Sequence, residues 1–313
     1  MKYFDLHCDT AHRMQREGLA ISDERLAVNA SALGAFESAG QVFAIWSDKR
    51  DSDAEAWRHL WDAYDGLRKA TAGQTALRAY AAVEDARLLE GDLSRLRRLK
   101  DAGFSLIGLT WSGDGPICSA HDAAFDTGLT PFGRSVVAEC LTLGLIPDLS
   151  HASHKTADQV LTMAESAGKP VCFSHSAFAS LCPHSRNLTD EEARRVAALG
   201  GVIGIPLVCA FLGGGDLSAV CAQLTRAYEN GVGEATCLGC DFDGTTDLPG
   251  GLRGLRDLPR LAEALSDAGF SACAIERMTW GTAAAFFERW GAPTVSEALS
   301  PGAAGDGRAE SET

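Results

Sequence analysis

Eight short runs rich in branched and aromatic residues punctuate the chain: "KYFDLHCD", "GQVFAIW", "RAYAAVE", "FSLIGLT", "LIPDLSH", "PVCFSH", "GVIGIP" and "ATCLGCDFD". Runs of this kind read as strands. Between several of them apolar residues recur at helical spacing, as in "DLSRLRRLKDAG" before the fourth strand and "PFGRSVVAECLTLG" before the fifth, each closed by a glycine. "SHKTADQVLTMAESAG" and "TDEEARRVAALGG" follow the fifth and sixth strands, and Thr189 is the expected N-cap of the second of these, with acidic residues in its first turn. Strands joined by helices must run parallel, because a parallel pair needs a long crossover. Eight such units therefore predict an α/β fold, a (β/α)8 TIM-type barrel; the alternative is an open doubly wound sheet.

A chain of 313 residues suits one such barrel. The expected organisation is a single domain over 1–298 and a disordered tail over 299–313, where "SPGAAGDGRAESET" is small, polar and poor in apolar groups. With 28 basic against 42 acidic residues, a net charge of −14 and no basic cluster, the surface repels phosphate backbones, so no nucleic-acid partner is expected. No apolar run approaches the roughly 20 residues that span a bilayer, and the N-terminus lacks a signal-peptide pattern, so the protein is expected in the cytoplasm without membrane attachment. The ten cysteines are scattered, several inside apolar runs, and read as buried free thiols.

Chemistry enters at "DLHCDT". Strand alternation puts Asp5, His7 and Asp9 on one face and Leu6 and Cys8 on the other. A lone His-x-Asp pair is as well explained by a polar strand end. Its companions change that reading: the third strand ends in Glu84, the fifth in His151, the sixth in His175 and the eighth in Asp241. In a barrel those ends converge on one mouth. Imidazoles and carboxylates in this number suit two divalent ions of the zinc type, about 3.5 to 4 Å apart, and a water shared by such ions points to hydrolysis. If Glu84 bridges, five residues fill two coordination spheres and Asp241 is left to handle the proton. His12, His59, His121, His154 and His184 fall in helices or loops, where surface or capping roles are expected. Asp148 precedes His151 by three and is expected on the opposite strand face; Asp243 also lies near the site.

At these residues the sequence resembles the membrane dipeptidase family, also called renal dipeptidases, dizinc metallopeptidases on amidohydrolase-like barrels. The resemblance runs from about Phe4 to Phe287 and rests on "DLHCDT", "GLTPFGRSVVAECLTLGLIPDLSHAS", "PVCFSHSAFASLCPHSRNLTDEEARRVAALGGVIGI" and "CLGCDFDG". It implies that His7 and Asp9 hold one zinc, that Glu84 bridges, and that His151 and His175 hold the other. It further implies that Asp241 serves the water and the leaving amine, and that Arg186, followed by Asn187, binds the substrate carboxylate. The implied activity is hydrolysis of dipeptides, including those with a C-terminal D-residue, and relatives are frequently homodimers. Three positions depart from the family: Trp111 stands where some members carry an oxyanion-stabilising histidine, Asp85 follows Glu84 in place of glycine, and Pro206–Val208 replaces an "NFY"-like pocket segment. Other readings are a different barrel metal hydrolase, such as a TatD-type nuclease or an amidohydrolase, and a catalytically silent binding protein. The acidic surface and the "SRNLTD" phrase weigh against the nuclease.

Overall fold

In the computed structural model, residues 1–298 are described; the expected tail, 299–313, lies outside them. Eight strands close into one parallel barrel in sequence order: β1 (Tyr3–Cys8), β2 (Ala39–Trp46), β3 (Leu77–Glu84), β4 (Phe104–Gly108), β5 (Ile146–Asp148), β6 (Cys172–Phe173), β7 (Val202–Ile205) and β8 (Thr236–Leu238). Pairing of β1 with β8, which an open sheet would lack, closes the ring. That seam is thin: Asp5 pairs with Leu238, and three further links come from Cys240 N donating to Asp5 Oδ1, Asp241 N to His7 O and Asp9 N to Phe242 O.

Helices α1 (Thr10–Glu17), α2 (Ala30–Leu33) and α3 (Asp53–Thr71) flank β2, and α4 (Ser94–Asp101), α5 (Pro131–Leu143), α6 (His154–Ala167) and α7 (Asp190–Ala198) fill the next crossovers. Short α8 (Cys209–Leu212) and α9 (Leu217–Glu229) link β7 to β8, and α10 (Leu258–Asp267), α11 (Ala272–Glu276) and α12 (Thr282–Trp290) follow. Their starts obey the local chemistry of helix ends. Thr130, Ser153 and Thr189 accept the backbone N–H of the third helical residue, and Thr189 with Glu192 completes a capping box.

Two apolar layers follow from strand alternation. Phe4, Leu6, Val42, Ala44, Tyr80 and Leu106 point into the barrel, where Phe286 and Phe287 of α12 plug the end at which the strands begin. Phe287 lies 5.3 Å from Phe4 and 4.2 Å from Tyr80, ring to ring. The other face of the strands, with Tyr3, Phe43, Ile45 and Val83, packs against the helices. Cys237 and Cys240 have C-x-x-C spacing, yet the first joins the inner cluster and the second the outer, and both are free thiols.

Simple alternation fails at one place that matters. Between Asp5 and Cys8, β1 advances three residues while β2 advances two, Gln41 to Phe43. This bulge moves the residues beyond it to the other face. Asp5 therefore does not share a face with His7 as expected: its carboxylate accepts Tyr3 Oη, His7 N and Cys240 N within the wall, while the His7 ring turns into the mouth.

Candidate metal centre and substrate cleft

His7, Asp9, Glu84, His151, His175 and Asp241 gather at the mouth formed by the C-terminal strand ends. Only His7 and Glu84 lie within strands; β5 and β6 stop at Asp148 and Phe173, β8 stops at Leu238, and His151, His175 and Asp241 sit just past these ends. His151 (φ 70°) and Asp241 (φ 61°) adopt left-handed backbone conformations, which non-glycine residues rarely take outside functional sites.

Glu84 is the hub. Its Oε2 lies 3.5 Å from His7 Nε2, while Oε1 lies 3.0 Å from His151 Nε2 and 3.9 Å from His175 Nε2. One carboxylate thus reaches two imidazole groups in different directions, as a bridging ligand must. His151 Nε2 and His175 Nε2 are 3.1 Å apart. On the other side, His7 Nε2 lies 3.5 Å from Asp9 Oδ2 and 3.8 Å from Asp241 Oδ1. Two sets could each hold an ion, His7 with Glu84 and His175, and His7 with Asp9 and Asp241.

The chemistry of this donor set fits cations. His7 Nε2 is buried with no hydrogen-bond partner among the described residues. Burial, then the neighbouring Glu84 carboxylate, pushes the Asp9 pKa up. Asp241 is likewise raised well above the ordinary carboxylate value by burial, with Asp9 and Glu84 adding to it against His7 and Arg186. Crowded carboxylates of this kind are relieved by bound cations. Burial opposes charge on Glu84, but His7 and His151 beside it hold its pKa far below the usual range. Burial, followed by Arg186, lowers His151 to about 4, and burial, with His7 and Arg186 adding to it, lowers His175 as well. Both rings are therefore neutral, the form that ligates metals. At Gly244 an added Cβ would stand 2.2 Å from Asp9 Oδ2 and 2.3 Å from Asp241 Oδ1, so only glycine leaves room for the two carboxylates to converge.

Asp148 corrects a second expectation. The chain leaves strand geometry after it, so face parity with His151 does not apply. Its carboxylate accepts Ser174 N at 2.9 Å and the Ser174 hydroxyl, which in turn lies 2.7 Å from His175 Nδ1. With its proton given to Asp148, the Ser174 oxygen accepts Nδ1–H, leaving the Nε2 lone pair facing the centre.

A cleft of about 390 Å³ opens over these groups, walled on one side by His12, Trp46 and Trp111 and on the other by Val208 and Phe211. Trp46 packs between His12, edge to face at 5.3 Å, and Trp111, tilted at 5.0 Å. His12 was expected at the surface or as a cap but lines the cleft. Trp46 went unrecognised, although it ends β2 with the same inward parity as Val42 and Ala44. Trp111 stands 6.0 Å from the His151 ring.

Arg186 is buried on the loop between β6 and α7. Its Nη1 donates to Ser176 Oγ at 2.7 Å, and its Nε and Nη2 have no partner among the described residues. Burial lowers its pKa to about 10, with Asp241, Asp148 and Glu84 pulling the other way. The guanidinium lies 5.8 Å from the Phe211 ring centre. His121 and His184, expected at the surface, instead gather near it: His184 Nδ1 accepts Arg186 N at 3.1 Å, and burial with the Arg186 charge lowers His121 to about 4. Asn187 donates its amide to Cys182 O at 2.9 Å and Phe211 O at 2.8 Å, which anchors the loop. His59 and His154 hold Asp51 and Glu192 at helix surfaces, as expected.

A closed (β/α)8 barrel with histidines and carboxylates converging at its C-terminal mouth is an architecture suited to metal-assisted hydrolysis. A sequence profile of the membrane dipeptidase family (Peptidase family M19) matches residues 59–289, and the chain belongs to that family. It is thus a dipeptide-hydrolysing metalloenzyme by family. His7 and Asp9 precede the matched segment, so it is the fold that brings them to the centre. The structure is similar to a metallopeptidase from Rhodobacter sphaeroides liganded with a phosphinate mimic of the dipeptide L-Ala-D-Ala, with a TM-score of 0.82 at 21% identity over 92% of this chain and 99% of that one. It is also similar to the M19 metallopeptidase dipeptidase AC (TM-score 0.84, 22% identity, 93% and 99% of the two chains) and to the probable dipeptidase PvdM from Pseudomonas aeruginosa (TM-score 0.73, 18% identity, 88% and 90%). No helix among the described residues is long and apolar enough to cross a membrane.

Proposed function

We propose that the protein hydrolyses free dipeptides at a centre of two zinc ions, with His7 and Asp9 holding one, His151 and His175 the other and Glu84 between them. The observation that carries this reading is the Glu84 carboxylate, whose two oxygens face His7 on one side and His151 and His175 on the other. The histidine and carboxylate donors suit zinc. Bound there, divalent ions would acidify an attacking water and polarise the scissile carbonyl.

The chain's own groups do the rest. Arg186 receives the substrate carboxylate on its free Nε and Nη2 as a planar fork. Asp241 takes the proton from the water and returns it to the leaving amine, standing 3.8 Å from His7 at the mouth. Asn187 anchors the loop that presents Arg186, and Trp111 with Trp46 walls off the mouth. The free buried thiols are consistent with the reducing cytoplasm.

The test is metal analysis of the purified protein together with hydrolysis of L,L- and L,D-dipeptides and their C-terminal amides. About two ions per chain and selective cleavage of free dipeptides are expected. Full activity with one ion or none, or equal cleavage of amides, would refute the proposal.

A further inference from the structure

The replacement of the family's pocket segment by Pro206–Val208 raises the question of what now lines that side of the cleft. We infer that Val208 and Phe211 form the subsite for the side chain of the dipeptide's C-terminal residue and select an apolar one; this rests on the dipeptidase reading above.

Position follows from Arg186. A carboxylate held on its free Nε and Nη2 sits beside the Phe211 ring, whose centre is 5.8 Å from the guanidinium carbon. The α-carbon is one bond from that carboxylate, and its peptide nitrogen must lead toward Glu84 and the histidines. The side chain is then placed against Val208 and Phe211, which line the cleft just past the end of β7. Val208 is buried, and Phe211 packs tilted against His184 at 5.0 Å and an interplanar angle of 54°. Neither offers a polar partner.

The wall is held in place. Cys209 N donates to Asp247 O at 2.9 Å, Ala210 N to Asp247 Oδ2 at 3.1 Å, and the Asn187 amide to Phe211 O at 2.8 Å. Four-residue α8 is thus tied on two sides. A C-terminal Asp or Lys side chain would lose hydration against Val208 and Phe211, neither of which carries a polar side-chain atom, whereas Leu, Met or Phe would gain buried apolar contact.

The experiment compares kcat/KM for Ala-Leu, Ala-Gly, Ala-Asp and Ala-Lys, with both enantiomers of each chiral C-terminal residue, on the metal-loaded enzyme. Ratios are read, because a folding defect lowers all substrates together. Ala-Leu should exceed Ala-Gly and Ala-Asp by about tenfold or more, the worth of a filled apolar pocket. Phe211→Ala should cut the Leu-to-Gly ratio by about tenfold, and Val208→Asp should move the preference toward Ala-Lys. A flat wild-type profile, a preference for Ala-Asp, or an unchanged ratio in Phe211→Ala overturns the inference while leaving dipeptide hydrolysis standing. Failure to cleave any member of the set overturns the dipeptidase reading, and this inference with it.

Discussion

Replacing Arg186 with leucine separates a dipeptidase from a general metal hydrolase, and its cost can be worked from the contacts. Leucine keeps much of the stem's bulk and loses one hydrogen bond, that to Ser176 at 2.7 Å. The side chain carries two donor groups, Nε and Nη2, with no partner among the described residues, in surroundings dry enough to lower the guanidinium pKa to about 10. Charge-assisted bonds to a carboxylate are worth about 1.5–3 kcal/mol each, and part of that is offset by removing an unpaired buried charge, so the net loss in transition-state binding is about 2 to 4 kcal/mol. That corresponds to a fall of roughly 30- to 1,000-fold in kcat/KM for free dipeptides. C-terminal amides, which offer no carboxylate, should already be poor substrates and lose little more. Measured side by side, the two substrate classes should converge in the variant. If Arg186→Leu treats free and amidated dipeptides as the wild type does, Arg186 is a loop residue and the dipeptide assignment loses its physical support.

Asp241→Asn should lower kcat by roughly 10² to 10⁴ with metal content nearly unchanged; parallel loss of metal, measured by atomic absorption, would make Asp241 an ordinary ligand of the first half-site, within whose reach it stands. Gly244→Ala inserts a methyl group where Asp9 and Asp241 converge, and should reduce metal content and activity together; full occupancy at equilibrium dialysis would contradict the crowding argument. Phe287→Ala opens the barrel plug and should cost about 3–5 kcal/mol in urea unfolding while leaving the KM of the folded enzyme unchanged. The pKa of His154 is raised by its hydrogen bond to Glu192, so the tie between α6 and α7 stabilises fully below the unfolded value near 6.5 and is lost as pH rises through the higher folded value. With His154 about half exposed, the effect should be only a few tenths of a kcal/mol, seen as a flattened stability–pH curve in His154→Gln.

The barrel was legible because eight strand-like runs recur along the chain, several of them set apart by a helical period with a glycine or capping residue at its boundary. Thr189 with Glu192 shows how local that information is, since a capping box needs only residues three apart. The gathering of His7, Glu84, His151, His175 and Asp241 was legible for a related reason, that a barrel sends every strand end to one place. What failed was the arithmetic of faces. Alternation breaks at the β1 bulge, and it has no meaning at Asp148 and His151, where the chain turns into a left-handed residue. His12, His121 and His184 were misplaced because ring neighbours such as Trp46, His151 and Phe211 are distant in sequence, and no local pattern marks such contacts.

The thin seam between β1 and β8 bears on how the molecule comes into being. Asp241 and the partners of Asp5 and Asp9 at Cys240 and Phe242 are made more than two hundred residues after His7. Synthesis at about 5–20 residues per second leaves β1 without its second neighbour for on the order of ten seconds or more. During that interval His7 and Asp9 have no ring to hold them, and the open β1 edge is exposed to wrong partners. The mouth that gathers His7, Asp9 and Asp241 therefore forms only once β8 has been made and has met β1.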